Sequence, residues 1–373
     1  MFTQLCERLG IDVPIFAFSH CRDVVAAVTN AGGFGVLGAV AHSPAGLDTD
    51  LTWIDEQTGG KPYGVDLLLP ARFADVGPAG GPEAGGPPIP DRHREFVADL
   101  LDRYEVPALP DHLTGRRGTL SVSPQAAGTL LDVAFRHPVR LVASALGPPP
   151  AELTEQAHAR GILVAALVGT VEHARRQQAA GVDLIVAQGT EAGGHTGTVA
   201  TMVLVPEVVR AVAPTPVLAA GGIVTGAQMA AAIALGAEGV WCGSVWLTTQ
   251  EAETDPAVQQ KMLAASSSDT VRSRSLTGKP ARMLRSAWTD EWESEAAPAA
   301  LQMPLQTLLT AGAQQRITRS SARPGSGAQQ LATYFVGQGV GLLDRVRPAR
   351  EVVAGMVSEY LEVAGRFAAQ LSD

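Results

Sequence analysis

Eight short apolar runs, each followed by a loop or a helix-like stretch, constrain this chain more than any other feature. They lie at 14–18, 34–37, 62–69, 139–144, 162–168, 184–188, 217–220 and 239–243. None alternates strictly, and most are rich in Val, Ile or Leu, as parallel strands buried on both faces are. Helix-like stretches fall between them. The stretch 23–31 ends at Gly32-Gly33, 151–160 at Gly161, 171–180 at Gly181, and 226–235 at Gly236. Glycine is the usual C-terminal stop, and Thr225 has the right chemistry to cap the helix that begins at Gly226. The repeated order of strand, loop, helix and glycine predicts an α/β fold with a parallel sheet. Eight such strands predict a closed (β/α)8 TIM barrel. A doubly wound sheet is the alternative, and the lack of a GxGxxG after the first run weighs against it.

Two regions break the rhythm. A Gly/Pro-rich excursion covers 71–120 and includes a polar helix at 91–104. From 255 to 373 there are helix-like pieces at 299–311, 329–335 and 350–371, and no run that reads as a strand. The expected organisation is a barrel over 1–254 and a mainly helical C-terminal subdomain over 255–373 that caps the barrel mouth.

Composition narrows the classes of function. The net charge of −9 gives no general attraction to nucleic acid or anionic lipid. Cys6, Cys21 and Cys242 are too few and too scattered for a disulfide framework or a zinc cluster. The N-terminal stretch holds Glu7, Arg8 and Asp12 where a signal peptide needs an apolar core. The longest uncharged run, 211–237, is broken by Pro214, Pro216, Gly221, Gly222 and Gly226, so it does not read as a membrane span. A cytoplasmic protein acting on a small molecule is expected, with homo-oligomerisation left open.

The strongest chemical segment is QGTEAGGHTG at 188–197, directly after the sixth strand. In a barrel this loop lies on the C-terminal face, where active sites collect. Its glycines allow close backbone approach to a flat or anionic ligand, and His195 offers a base that works near neutral pH. The loops after strands seven and eight carry Gly221-Gly222 and Gly243-Ser244. Barrels commonly hold phosphate at these two loops, on backbone N–H groups and a short helix N-terminus. After the first strand, Ser19, His20 and Cys21 fall at the mouth and read as pocket lining rather than as a nucleophile pair. Cys242 reads as core. His42, His93, His112, His137, His158 and His173 read as surface; Arg272, Arg274, Arg282 and Arg285 could meet an anionic substrate, but such a cluster is more often a solvated face.

These motifs resemble the nitronate monooxygenases, formerly called 2-nitropropane dioxygenases. The resemblance rests on QGTEAGGHTG, on AAGGI at 219–223, on WCGS at 241–244, on NAGGFG at 30–35 and on TGKPAR at 277–282. It runs over about 14–285, and EAGGH is its most specific element. It implies a TIM barrel that binds FMN. By position, His195 resembles the catalytic base. Gln188, Gly193 and Gly194 resemble contacts to the flavin ring, and Gly221, Gly222, Gly243 and Ser244 the cradle of the FMN phosphate. Asp66 stands where members often have Asn near the flavin. Ala17, Phe18 and Ser19, followed by His20 as pocket lining, replace the Ala-Pro-Met with which many members end strand one.

The implied activity is oxidation of alkyl nitronates with O₂ to a carbonyl compound and nitrite. A related barrel with a similarly placed histidine occurs in flavin-dependent enoyl reductases. The alternative is therefore an FMN-dependent, NAD(P)H-using reductase of an unsaturated thioester or carbonyl. A barrel that binds without catalysing is a third reading, against which His195 counts. A dehydrogenase of the inosine-monophosphate type needs a cysteine in the loop after strand six, and 189–197 has none.

Overall fold

Each apolar run contributes one strand to the wall of a single barrel. The structure, a computed structural model, describes residues 3–67, 88–109, 124–144 and 147–370. In chain order, α1 (Gln4–Leu9) and β1 (Ile15–Ser19) are followed by α2 (Arg22–Asn30), β2 (Phe34–Gly38), α3 (Pro44–Thr58) and β3 (Gly64–Leu67). Next come α4 (Asp91–Arg103), α5 (Pro124–Ala134), β4 (Leu141–Ser144), α6 (Ala151–His158) and β5 (Leu163–Val168). Then α7 (Val171–Ala179), β6 (Leu184–Gln188), a two-residue strand β7 (Gly194–His195), α8 (Thr201–Val212), β8 (Val217–Ala220), α9 (Gly226–Ala234) and β9 (Gly239–Cys242). The remainder holds α10 (Pro256–Ala264), β10 (Thr270–Ser273), β11 (Ala281–Leu284), α11 (Ala287–Trp292), α12 (Leu305–Ser320), α13 (Gly327–Leu331) and α14 (Ala349–Gln370).

The strands β1 to β6, β8 and β9 pair in parallel in that order, and β9 returns to β1 with Phe16 opposite Trp241. This closes the (β/α)8 barrel. Alternation along each strand sorts side chains into two layers. Phe16, Phe34, Val36, Leu184, Val186, Leu218 and Trp241 fill the barrel interior. Ile15, Ala17, Leu37, Ile185, Ala187 and Val240 pack outward against the helices. Each large buried side chain contributes roughly 1.5–3 kcal/mol of transfer free energy. Helix α1 adds Leu5, Cys6 and Leu9 to the interior layer. It is tied there by Leu5 N–H donating to Glu238 Oε2 at 3.0 Å.

The Thr225 cap is present as a full capping box with Gln228. Helix α14 packs on α9 and α2, so it lies in the outer ring of helices. Gly226 permits this approach, because a Cβ there would run into the Met356 carbonyl.

Two expectations are corrected. Residues 255–373 do contain strands: β10 and β11 pair antiparallel, and β7 adds to β11, making a second, three-stranded sheet. TVRS and ARML are short and carry arginines, so they lack the apolar signature of a buried strand. The helix expected at 299–311 runs instead from Leu305 to Ser320. Pro304 forces this, because the residue before a proline is kept out of the helical region. Most of the 71–120 excursion, His112 included, lies outside the described residues; its polar helix is α4.

Candidate active site

His195 sits on β7 because the second sheet puts it there. Its backbone stands opposite Ala281 of β11, and Gly194 stands opposite Arg282. Gly194 has φ of 76°, a conformation glycine adopts without strain. The imidazole is partly buried. Its Nε2 lies 2.8 Å from Thr277 Oγ1, and the Phe335 ring centre is 6.2 Å away. Desolvation, followed by the nearby Lys279 charge, pulls its pKa below the usual value for histidine. The ring is therefore neutral at physiological pH and can accept a proton.

Two arginines staple the loop that carries it. Arg282 donates from Nε to Thr190 O at 2.8 Å and from Nη1 to Thr270 Oγ1 at 3.0 Å. Arg272 donates from Nη2 to Thr196 O at 3.2 Å. The two stand opposite each other across β10 and β11, a like-charge pairing that is unfavourable by itself. Arg282 is buried, which corrects the expectation of a solvated face; Arg285, paired with Asp290, is exposed. Glu191 also braces the loop, its carboxylate accepting from Thr201 N–H and Oγ1–H at 2.9 Å each.

The glycine-rich loops meet in one seam. A Cβ on Gly221 would lie 3.2 Å from Gly189 N, and one on Gly222 would lie 3.1 Å from Glu191 Cβ. A Cβ on Gly193 would lie 2.9 Å from the Val336 backbone. These glycines are needed for protein packing. Gly194 and Gly243 differ: a Cβ on either meets nothing within 4 Å among the described residues, so both face open space. Ser244 Oγ accepts from Gly337 N–H at 2.8 Å and keeps its own proton to donate. The short 3-10 turn Ser244–Thr248 begins beside Gly243. The α9 N-terminus is partly used within the protein, with Gln228 Oε1 accepting from Val224 and Thr225 N–H and Glu359 Oε2 accepting from Gly226 N–H at 2.8 Å.

At the mouth, alternation turns Phe18, Asp66 and Gln188 toward the barrel axis and Ala17 and Ser19 away from it. Ala17 can offer a ligand only backbone. Ser19 Oγ is used locally, accepting from Cys21 N–H at 3.1 Å. Phe18 stacks on Trp241 with ring centres 6.2 Å apart. Burial alone pushes the Asp66 carboxyl up to about 7. His20 packs edge-on against Phe18, with ring centres 5.2 Å apart. Its Nδ1 is 2.8 Å from Gly38 O, and it lines a cavity of about 490 Å³ with Arg22, His42, Asp50 and Glu253. None of the residues expected to hold a cofactor lines that cavity.

The remaining candidates are structural. Cys242 is core, its thiol pushed up to about 12 by burial. Cys21 donates from Sγ to Glu251 O at 3.0 Å. His93 is buried, with Nε2 3.0 Å from Ala299 O, and His137 Nδ1 lies 2.7 Å from Asp55 Oδ2, so neither is the surface residue the sequence suggested. Thr277, Phe335, Arg272 and Arg282 are the site residues that sequence reasoning left without a role. Thr277 and Arg282 belong to TGKPAR at 277–282, and that motif was the available signal.

Known proteins match this chain in sequence and fold. The nitronate monooxygenase family model matches residues 111–359. A Mycobacterium tuberculosis protein with the provisional name of a monooxygenase is 64% identical over 98% of each chain. A second protein of that organism, named as a dehydrogenase of an octahydroindene carboxyl-CoA, is 30% identical over 78% of this chain and 68% of its own. The solved nitroalkane oxidase of Streptomyces ansochromogenes superposes with a TM-score of 0.79 at 27% identity, covering 98% of this chain and 100% of that one. With a closed barrel, a neutral histidine on the loop after β6 and matches of this extent, the chain belongs to the nitronate monooxygenase family and is an enzyme of its flavin-dependent oxidoreductase class.

Proposed function

We propose that this protein is an FMN-dependent nitronate monooxygenase that oxidises alkyl nitronates with O₂ to a carbonyl compound and nitrite. The observation that carries the reading is the neutral, partly buried imidazole of His195 at the barrel mouth. The residues around it fit a flavin phosphate. Gly243 faces open space, Ser244 has a proton to give, and the 3-10 turn at 244–248 begins beside them. Gly221 and Gly222, with φ of 114° and 70°, shape the neighbouring loop. Gln188 and Asp66 reach the mouth from β6 and β3, where the ring system would lie. When bound, FMN supplies the electron acceptor. The protein's part is to remove a proton and to hold the substrate. A nitroalkane α-proton is acidic because the nitro group takes up the charge, and His195 is placed to remove it. Of the part expected to cap the mouth, 255–373, the segment 255–348 brings Thr277 and Phe335 to His195, and we read that segment as the cap, with α14 in the outer ring. Free, buried cysteines at all three positions suit a cytoplasmic setting.

The test is nitrite release. Purified protein with its flavin should convert a nitronate to nitrite with consumption of O₂. His195→Asn should lower turnover of the neutral nitroalkane by about a thousandfold, within the range a general base supplies, and that of preformed nitronate by less than about tenfold. Equal losses on both substrates would remove the base role. The second reading, an NAD(P)H-dependent double-bond reductase, has in its favour the relative named for a carboxyl-CoA substrate. Against it, the buried Arg282 is taken up in holding the loop and is not offered to an anionic substrate. Anaerobic NADPH oxidation that requires an enoyl thioester, with no nitrite from nitronates, would select the reductase.

A further inference from the structure

We propose that Thr277 fixes the tautomer of His195, holding the proton on Nε2 and leaving Nδ1 as the nitrogen that takes the substrate proton. This makes Thr277 a positioning residue, and it rests on the reading of His195 as the base.

The hydroxyl of Thr277 has three neighbours. His195 Nε2 is 2.8 Å away, Lys279 O 3.2 Å and Lys279 N 3.4 Å. A hydroxyl has one proton and two lone pairs. The Lys279 amide can only donate to it, and the Lys279 carbonyl can only accept from it. Giving the single Thr277 proton to Lys279 O, and not to Nε2, leaves every one of these groups with a partner. Both remaining places are acceptors, one for Lys279 N–H and one for His195. Nε2 must then carry a hydrogen and donate it. In a neutral ring this leaves the lone pair on Nδ1, which bonds to no described residue. The opposite assignment turns the Thr277 proton toward Nε2. It would withdraw that proton from Lys279 O and put the ring hydrogen on Nδ1, where no described residue accepts it.

The turn that presents this hydroxyl is held firmly. Gly278 has φ of 82°, and a Cβ there would run into the Leu301 carbonyl. Gly278 N–H donates to Arg274 O at 2.8 Å. From α12, Gln306 donates to Ser275 O at 2.8 Å and Thr310 to Leu276 O at 2.9 Å. The imidazole is thus held at its backbone by β11 and at one nitrogen by Thr277, with Phe335 beside it. A base held this way has only its free nitrogen to turn to the substrate.

The experiment is long-range ¹H–¹⁵N NMR on the flavin-loaded full-length protein labelled at histidine, with the His195 signals assigned by their loss in His195→Asn. The wild type should show a protonated Nε2 and a bare Nδ1. Thr277→Val should give a mixture of tautomers. It should lower turnover of neutral nitroalkane by about tenfold to a hundredfold, with turnover of preformed nitronate within about twofold of wild type. Thr277→Ser should restore both the spectrum and the rate. A proton on Nδ1 in the wild type overturns the proposal without any variant. So does a Thr277→Val protein with unchanged tautomer and rates. The spectrum reads the tautomer whether or not His195 is the base. Failure of the base reading shows separately, as equal losses on both substrates in His195→Asn.

Discussion

In the barrel wall, successive strands pair with sequence neighbours, except where β7 is skipped, and both faces of the wall are buried. In the three-stranded sheet, β7 pairs with β11, and the bond from His195 to Thr277 spans 82 positions. The wall is built from apolar runs whose composition already demands burial. The second sheet is built from TVRS, ARML and Gly-His, whose pairing is defined by what the tertiary structure brings beside them. The wall makes the protein stable. The second sheet brings the imidazole to the mouth and holds it there. Changes in the two should therefore separate stability from catalysis.

The largest effect belongs to the wall. Gly35 on β2 stands opposite Ala17, and a Cβ there would meet the Val25 carbonyl and lie 2.8 Å from Thr29 Oγ1 and from Val25 Cγ1. Backbone on that side cannot yield without moving α2. Gly35→Val should cost about 4 kcal/mol or more, enough that little folded protein is recovered. Chemical denaturation of whatever folds would measure it. A variant of near-normal stability would mean that the wall is looser than its packing implies.

The same contrast decides what could be read in the sequence. The eight wall strands were legible because burial on both faces leaves a composition signature. The Thr225 cap and the glycine stops were legible because they are local. The chemistry of the 188–197 loop was legible in part: Gln188 and His195 stand out, and the loop follows a strand. The role of Thr277 was not, since a hydroxyl in a turn has no pattern that names its partner. Nor was Phe335, one aromatic in a tail of helices. The orientation of Ala17 and Ser19 could have been deduced from alternation with Phe16 and Phe18, which would have left Ala17 only its backbone to offer. Arg282 misled because an arginine in a short charged strand normally faces water. Here burial of the guanidinium is compensated by two carbonyl or hydroxyl acceptors.

Arg282→Met tests the other side of the comparison. The substitution keeps an apolar stem of similar length and leaves Thr190 O without its donor. Losing that bond costs about 1–3 kcal/mol, and relief of the Arg272–Arg282 repulsion offsets part of it. The barrel should melt within a few degrees of wild type. With His195 as the base, as proposed, turnover of neutral nitroalkane should fall by about a hundredfold, because a small shift of the base is costly. Thermal melts and kcat on one preparation check both halves. A large drop in stability with kcat retained would reverse the division of labour between the two sheets.

The smallest effect lies where the wall meets the mouth. Asp66 is a wall residue by its strand and a site residue by its direction. Burial holds its carboxyl at about 7 in the fold, against an ordinary value of 3.8. The protonated form therefore suits the folded state. Below about pH 3 the side chain is protonated whether folded or unfolded, and the fold keeps its full stability. As pH rises toward 7, the unfolded chain releases the proton more readily than the folded one, and stability is lost until the folded carboxyl also ionises. Asp66→Asn has no proton to lose. It should match wild type near pH 3 and exceed it by about 2 kcal/mol at pH 8, roughly half the cost of a fully dry carboxyl, since the open mouth admits water. Denaturation of the ligand-free protein at the two pH values measures the difference. A constant gap across pH would mean that the carboxyl does not titrate in this range. A gap confined to high pH would identify Asp66 as a point where the wall gives up stability to put a polar group in the mouth.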